Sequence, residues 1–171
     1  MNHFINFPTV CCASFVFVLV FSGCSSEKRP PGFPKLYPVS LKVIQEGKPL
    51  SEAAVSLRKA DNSMTWSIGG RTDERGIAVL RTHGKFNGAP EGMFKVTVEK
   101  VINEGEAEMI QALDREDQVA AKRIQVNSFS FVKDEYNSME KTPIEIEITR
   151  KSKVIEVNAG PAVKMKREYM R

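Results

Sequence analysis

Cysteine is scarce in this sequence of 171 residues, and the three cysteines, Cys11, Cys12 and Cys24, all lie near the N-terminus. The rest of the chain therefore cannot form a disulfide framework or a Cys/His metal cluster. Histidine is rarer still, with two residues, and the sequence has neither a G-x-S-x-G elbow nor a phosphate-cradling glycine loop. We predict no catalytic residue, no metal site and no cofactor, so the sequence argues against an enzyme.

Charge is absent before Glu27, and the apolar run at residues 10–21 is broken only by Ser14. A run of about twelve residues is too short for a membrane span, which needs about 20. At the N-terminus, and followed by small residues, it is typical of a secretory signal segment. The formal net charge of +4 is too small to indicate nucleic-acid binding.

Residues 21–24, FSGC, follow this run and resemble the lipobox of bacterial lipoproteins, in which an apolar residue, a small residue and Gly or Ala precede Cys. Phe21 stands where Leu is usual in that family. The resemblance implies that residues 1–23 are a signal peptide and that Cys24 is the lipid attachment site, carrying palmitate-type acyl chains. An ordinary signal peptide cut elsewhere and an uncleaved anchor remain the alternatives.

Residues 24–35 are interpreted as the lipidated cysteine and a flexible, proline-rich tether. The stretch SSEKRPPGFPK holds three prolines and one glycine and has no periodic apolar pattern. About eleven residues reach roughly 35 Å when extended, which lifts a domain off a bilayer. We therefore expect the membrane to be a partner through the lipid anchor. By analogy with lipoproteins, Ser25 after the cysteine favours the outer membrane.

Apolar and polar residues alternate with period two after the tether, as in half-buried strands. The first run continues through a turn at 46–49 into a second, and we interpret the two as a hairpin; their apolar positions are Val39, Leu41, Val43, Ala53, Val55 and Leu57. Further strands are predicted at 64–68, 77–80, 94–99, 144–148 and 153–157. Six or seven short strands separated by turns predict an all-β sandwich.

Three local features complete this interpretation. Trp66 is expected in the core, with Gly69 and Gly70 ending its strand. Residues 144–148 and 153–157 are expected to form an edge hairpin. Residues 106–123 break the alternation, because they are rich in helix formers and lack Gly and Pro. They predict either a short amphipathic helix, with an apolar side of Met109, Ile110, Leu113 and Ala120, or a charged mobile loop.

The order of these segments resembles the carboxypeptidase regulatory-like domains, also described as transthyretin-like or prealbumin-like. The matching stretches are GKPLSEAAVSL at 47–57, TDERGIAVL at 72–80, GAPEGMFKVTVEK at 88–100 and EYNSMEKTPIEIEIT before the last strand. The resemblance implies a transthyretin-like seven-stranded β-sandwich over residues 36–158 with a helical or loop insertion. Residues 159–171 then form a basic C-terminal tail.

This resemblance implies a non-catalytic binding, spacer or structural module of the bacterial cell envelope. Its expected partner is an envelope protein or a polysaccharide. The alternative is an accessory subunit that positions a separate hydrolase or transporter chain. The ligand, the oligomeric state and the membrane face are left open by the sequence.

Four smaller features remain, and three of them have two interpretations each. The tail 164–171 is basic and either binds an anionic surface or frays. Trp66, Phe86 and Phe94 form either a sugar-stacking platform or parts of a core. His83 is interpreted as a loop residue rather than a ligand. The loops at 61–76 and 83–92 are either a recognition rim or simple connections.

Overall fold

The computed structural model describes residues 29–61, 63 and 66–167. The chain divides into two compact units, Met1–Phe33 and Pro34–Arg171. In the described part of the first unit, the Phe33 N–H donates a hydrogen bond to the Pro30 carbonyl at 3.1 Å, which closes a turn. In the part of the chain that the structure describes, no helix has the length and apolar content needed to cross a membrane.

The second unit consists mainly of short β-strands, which confirms the predicted all-β class. The described residues form β1 (Ser40–Gln45), β2 (Lys48–Pro49), β3 (Ala54–Lys59), β4 (Ile68–Arg71), β5 (Ile77–Val79), β6 (Arg81–Thr82), β7 (Phe86–Asn87), β8 (Gly92–Glu99), β9 (Val101–Glu104), β10 (Asn127–Ser130), β11 (Glu145–Ile148), β12 (Val154–Asn158) and β13 (Met165–Lys166). Three helices, α1 (Glu106–Asp114), α2 (Gln118–Arg123) and α3 (Asp134–Asn137), complete the secondary structure of this part of the chain. The strand segments outnumber the predicted seven because β2, β6, β7 and β13 are only two residues long and because β9 and β10 lie where no strand was predicted.

Three sheets arrange these strands. In sheet I, β1 pairs in parallel with β12 on one edge and antiparallel with β5 and then β2 on the other. Sheet II has the antiparallel order β11-β8-β3-β4-β6-β7. Sheet III has the order β13-β10-β9, and β9 follows β8 after a single residue.

Sheets I and II enclose one apolar core between them, as expected for a sandwich. Phe94 of β8 is the largest of the completely buried side chains. The core also contains Leu41 and Val43 from β1 and Val55 and Leu57 from β3, each at alternate positions of its strand. In the part of the chain that the structure describes, the buried core residues all belong to the second unit, and we expect this unit to fold on its own.

Both predicted hairpins are wrong. The turn at 46–47, with positive φ at Glu46 and Gly47, leads β1 only into the two-residue strand β2. The chain then crosses to sheet II, where β3 pairs with β4 and β8. Likewise, β11 pairs with β8 in sheet II, whereas β12 runs beside β1 in sheet I. Alternation predicts which side of a strand faces the core, but it does not identify the neighbouring strand.

Gly69 and Gly70 lie inside β4 instead of ending a strand, and that strand begins after Trp66. A Cβ atom on Gly70 would lie 2.6 Å from the carbonyl oxygen of Val79 in β5. Glycine is therefore required here because strands of sheets I and II pass backbone to backbone at this corner of the sandwich. Trp66 is half-buried beside the corner, so its predicted place in the core is wrong.

Residues 106–123 form two helices, which supports the helical alternative for the insertion. The helices are separated at Asp117, whose side chain accepts a hydrogen bond from the Ala120 N–H at 2.9 Å and caps α2. The predicted apolar side does not pack as a unit, because Ile110 is 47% exposed and Leu113 50%. The buried residue of the pair of helices is Ala121.

The basic C-terminal segment is held in place as far as Arg167, so the frayed-end interpretation is wrong for residues 164–167. β13 pairs with β10. The Lys164 ammonium lies 4.4 Å from the centre of the Phe129 ring and 2.7 Å from a carboxylate oxygen of Glu104. Arg167 pairs with Glu99 at 2.6 Å. Residues 168–171 lie outside the described residues.

Candidate binding groove

Cys24, the predicted lipid attachment site, lies outside the described residues. Its modification therefore stays a prediction.

His83 is exposed in a turn, with its backbone in the left-handed region at φ 56°. Its N–H donates to the Ser67 carbonyl at 2.8 Å, and its ring meets the Trp66 ring edge-on, with 4.9 Å between centroids. No group of three or more potential metal ligands occurs among the described residues. The position of His83 thus agrees with a loop residue, and its ring supports the indole of Trp66.

The three aromatic residues considered as a platform are not brought together. Phe94 is completely buried in the core. Phe86 lies in β7, two strands away from the β4 edge that follows Trp66. Of the three, Trp66 lines a surface depression and is half-buried.

Two adjoining depressions lie on the outward side of sheet II, and both are lined by Arg58 and Met139. One, of about 330 Å³, is also lined by Lys59, Lys95 and Glu140. The other, of about 320 Å³, reaches Trp66. We call this continuous surface the basic groove and define it by Arg58, Lys59, Trp66, Lys95 and Met139.

The strands explain why these side chains face outward. Leu57 and Val96 are buried, so their neighbours Arg58 in β3 and Lys95 in β8 point to the opposite side of the sheet. Arg58 and Lys95 are direct cross-strand partners in the register of this pair. The groove is therefore carried by two central strands of a six-stranded sheet, which gives it a rigid base.

A turn after α3 forms one wall of the groove. The Thr142 N–H donates to the Ser138 carbonyl at 2.8 Å, which closes the turn around Met139 and Glu140. The buried Thr142 hydroxyl donates to the Val96 carbonyl of β8. These hydrogen bonds fix the wall against the sheet.

The groove has an excess of unpaired positive charge. Among the described residues, no carboxylate lies within 4 Å of the charged nitrogens of Arg58, Lys59 or Lys95. Glu140 lines the same depression, and Glu145 is the partner of Lys95 in β11, but neither forms an ion pair with the three cations. Two like charges directly opposite on neighbouring strands destabilise a sheet by roughly 0.2–1 kcal/mol. A fold that retains this cost has a reason to keep the charges together.

The segment before Trp66 begins with a local turn at Asp61. The Asp61 carboxylate accepts hydrogen bonds from the Ser63 hydroxyl at 2.6 Å and from the Ser63 N–H at 2.9 Å. These bonds lower the pKa of Asp61 below its ordinary value. The Asp61 carboxylate therefore accepts hydrogen bonds from within its own turn.

Sequence reasoning found Trp66 but missed the cations of the groove. Arg58 and Lys95 each occupy an outward position of a predicted strand, and that much was readable from the alternation. Their proximity depends on the pairing of β3 with β8, two strands that are far apart in sequence. A local pattern contains no signal for that pairing.

No protein-family profile and no curated protein matches this chain. Among solved structures, the crystal structure of BcpA, the major pilin subunit of Bacillus cereus, is similar with a TM-score of 0.39 and 13% sequence identity. The similarity covers 73% of this chain and 29% of the pilin chain. A likeness of this size says nothing about the role of the chain.

Proposed function

We propose that this chain is a non-catalytic lipoprotein of the bacterial cell envelope whose β-sandwich binds an acidic polysaccharide in the basic groove. The observation that carries the proposal is the set of three unpaired cations beside a half-buried tryptophan on a rigid sheet. This combination suits a ligand that has both a flat apolar face and a negative group.

The two halves of the groove supply complementary contacts. The indole of Trp66 presents an aromatic face against which the apolar face of a sugar ring stacks. The Arg58 guanidinium is a planar fork that binds a carboxylate through two parallel hydrogen bonds. Lys59 and Lys95 add positive charge for a second acidic group along the polymer.

A binding role fits the chemistry of the groove better than catalysis does. Its cations have no neighbouring nucleophile and base in hydrogen-bonding geometry among the described residues. The ring of His83 contacts Trp66, which supports a structural use of that side chain. The groove therefore has the means to hold an anion.

The proposed location depends on the sequence pattern at the N-terminus. The short apolar run followed by FSGC supports export and attachment of lipid at Cys24. A lipid with two or more acyl chains holds a protein durably at a membrane. Residues 25–35 then provide a tether that lets the sandwich reach a polysaccharide near that membrane.

Isothermal titration calorimetry tests the proposed ligand class. The mature protein in detergent is titrated with a uronic-acid oligosaccharide and, for comparison, with a neutral glucan. We expect binding of the acidic oligosaccharide alone. We expect Arg58→Gln to weaken it about 10- to 100-fold, the range for a lost charge-assisted hydrogen bond. Lys48→Gln is the matched control, since it removes an exposed lysine from β2 in the other sheet.

Trp66→Leu separates stacking from charge. This variant keeps an apolar side chain at the position but loses the flat ring, and we expect it to weaken binding about tenfold. Equal affinity for the acidic and the neutral oligosaccharide would contradict the proposal. So would an Arg58→Gln variant that binds as well as Lys48→Gln does.

A further inference from the structure

A second basic surface lies at the end of the sandwich where the chain enters it from the tether. The second unit begins at Pro34, and the Tyr37 N–H donates to the Ala89 carbonyl at 2.9 Å. The Ser40 N–H, at the start of β1, donates to the Lys153 carbonyl at 2.9 Å. These contacts place the turn between β11 and β12 beside the first residues of the domain. We call this surface the tether pole and define it by Lys35, Tyr37, Arg150, Lys151 and Lys153.

The turn at the tether pole is held rigidly. The Thr149 N–H donates to the Ser152 hydroxyl at 3.0 Å, and the Ser152 N–H donates to the Thr149 carbonyl at 3.1 Å. Both the N–H and the guanidinium of Arg150 donate to the Glu91 carboxylate, at 3.2 and 3.0 Å. The contact with Glu91 raises the pKa of Arg150 above its ordinary value and neutralises its charge locally.

Three cations of the tether pole remain without a carboxylate partner among the described residues, namely Lys35, Lys151 and Lys153. All three side chains are exposed. The Lys35 ammonium lies 5.5 Å from the centre of the Tyr37 ring. Glu91 forms an ion pair with Arg150, and these two charges cancel. The three lysines then leave the tether pole with a net charge of +3.

Tyr37 adds a second property to this end. Its side chain is half-buried, and its ring lies beside the Lys35 ammonium. Tyrosine and tryptophan are enriched where proteins meet the headgroup region of a bilayer, because one end of the ring is apolar and the other is polar.

The strand directions give this pole a fixed relation to the tether. β1 and β12 both begin at the pole and run in parallel away from it, with Ser40 opposite Val154 and Ile44 opposite Asn158. The turn at 46–47 is therefore at the opposite end of sheet I. The pole is the part of the sandwich connected to the proposed anchor by the shortest length of chain.

We infer that the tether pole docks on anionic phospholipid headgroups. The argument joins three observations: the connection to the tether, the unpaired lysines and a half-buried tyrosine beside them. Each basic residue near an anionic bilayer raises the binding constant by a factor of about five, so three lysines contribute roughly a hundredfold. With the acyl chains proposed at Cys24, the docked pole would hold the sandwich in one orientation on the membrane. Only the fixed orientation rests on the proposed lipid anchor. The docking on anionic headgroups does not depend on it.

Vesicle sedimentation without any lipid on the protein tests the docking by itself. The chain from Ser25 onward is mixed at low salt with vesicles of phosphatidylglycerol and phosphatidylcholine, or with vesicles of phosphatidylcholine alone. The test variant combines Lys35→Gln, Lys151→Gln and Lys153→Gln. The control combines Lys48→Gln, Lys122→Gln and Arg123→Gln, which remove the same charge from exposed positions away from the pole.

We expect binding to the anionic vesicles only, a loss of about a hundredfold in the pole variant and a change of less than about threefold in the control. An unchanged thermal unfolding midpoint shows that both variants are folded. Equal losses in the two variants would overturn the proposal, because binding would then follow net charge alone. Failure of the unlipidated chain to bind anionic vesicles would also overturn it. The anchor at Cys24 is measured separately on native protein, so failure of one proposal is distinguishable from failure of the other.

Discussion

Removing the charge of Arg58 should make the domain more stable while it weakens the basic groove. Arg58 faces Lys95 across β3 and β8, and the pairing of β3 with β4 ends before Arg58, at Leu57 and Ile68. Arg58→Gln keeps a long polar side chain and removes the repulsion. Lys95 retains Glu145 as its partner on the other side. The effect on the free energy of unfolding therefore has the opposite sign to that of most substitutions.

The expected size follows from the cross-strand register. Like charges directly opposite cost roughly 0.2–1 kcal/mol, so we expect the free energy of unfolding to rise by about 0.5 kcal/mol. For a urea dependence of about 1–3 kcal/mol/M, this moves the unfolding midpoint upward by about 0.2–0.5 M. The repulsion is exposed to solvent, and at about 1 M salt the screening length falls to about 3 Å. The gain should then disappear.

Equilibrium urea unfolding at low and at high salt measures both quantities. Arg58→Lys is the matched control, since it keeps the charge and should leave the midpoint unchanged at either salt concentration. A midpoint for Arg58→Gln that is lower than that of the unsubstituted chain at low salt would refute the reasoning. A gain that persists at high salt would show that its cause is not the charge.

Two further predictions concern the corner of the sandwich and the turn before β5. Gly70→Ala places a Cβ 2.6 Å from the Val79 carbonyl oxygen and should lower the free energy of unfolding by about 1–3 kcal/mol; an unchanged urea midpoint would contradict the close approach. The Asp73 carboxylate accepts the Ile77 N–H at 2.8 Å and further hydrogen bonds from Arg75, which lower its pKa. Its folded pKa lies below the unfolded one, so its stabilising effect should be complete above about pH 4 and decrease as the pH falls further. Urea unfolding midpoints of the unsubstituted chain and of Asp73→Asn are compared over a pH series. The difference between the two midpoints should shrink below about pH 4. A difference that stays constant would be evidence against this linkage.

The strands and their inward sides were predictable from local alternation. Leu41, Val43, Val55 and Leu57 all lie in the core, as their period-two spacing predicts. The turn at 72–76 was also predictable, and Gly76 at its end has a positive φ of 74°. These features depend on neighbours in sequence, so a single sequence contains the information for them.

Strand partners were not predictable in the same way. A short turn after β1 favours a hairpin, but Leu50 and Ala53 are buried, and they carry the chain across the core to the other sheet. The turn between β11 and β12 joins two sheets for the same reason, since β12 gains a partner in β1. Burial on both sides of a connection outweighs the local preference for a hairpin.

The residues of the basic groove were likewise predictable only in part. Trp66 was noticeable as the single tryptophan, but its expected burial was wrong, since it lies before β4 and is only half-buried. The cations of the groove belong to two strands that meet only in the folded sheet. The charge pattern along one strand does not indicate which strand pairs with it in the sheet.

The central claim is that the sandwich is held at a membrane through lipid on Cys24. Mass spectrometry of the N-terminal peptide of the protein purified from its native envelope tests this most directly. The account predicts a mature chain that begins at Cys24 and carries the mass of a diacylglyceryl group with its acyl chains. A peptide with an unmodified thiol at Cys24, or one still joined to residues 1–23, would contradict it.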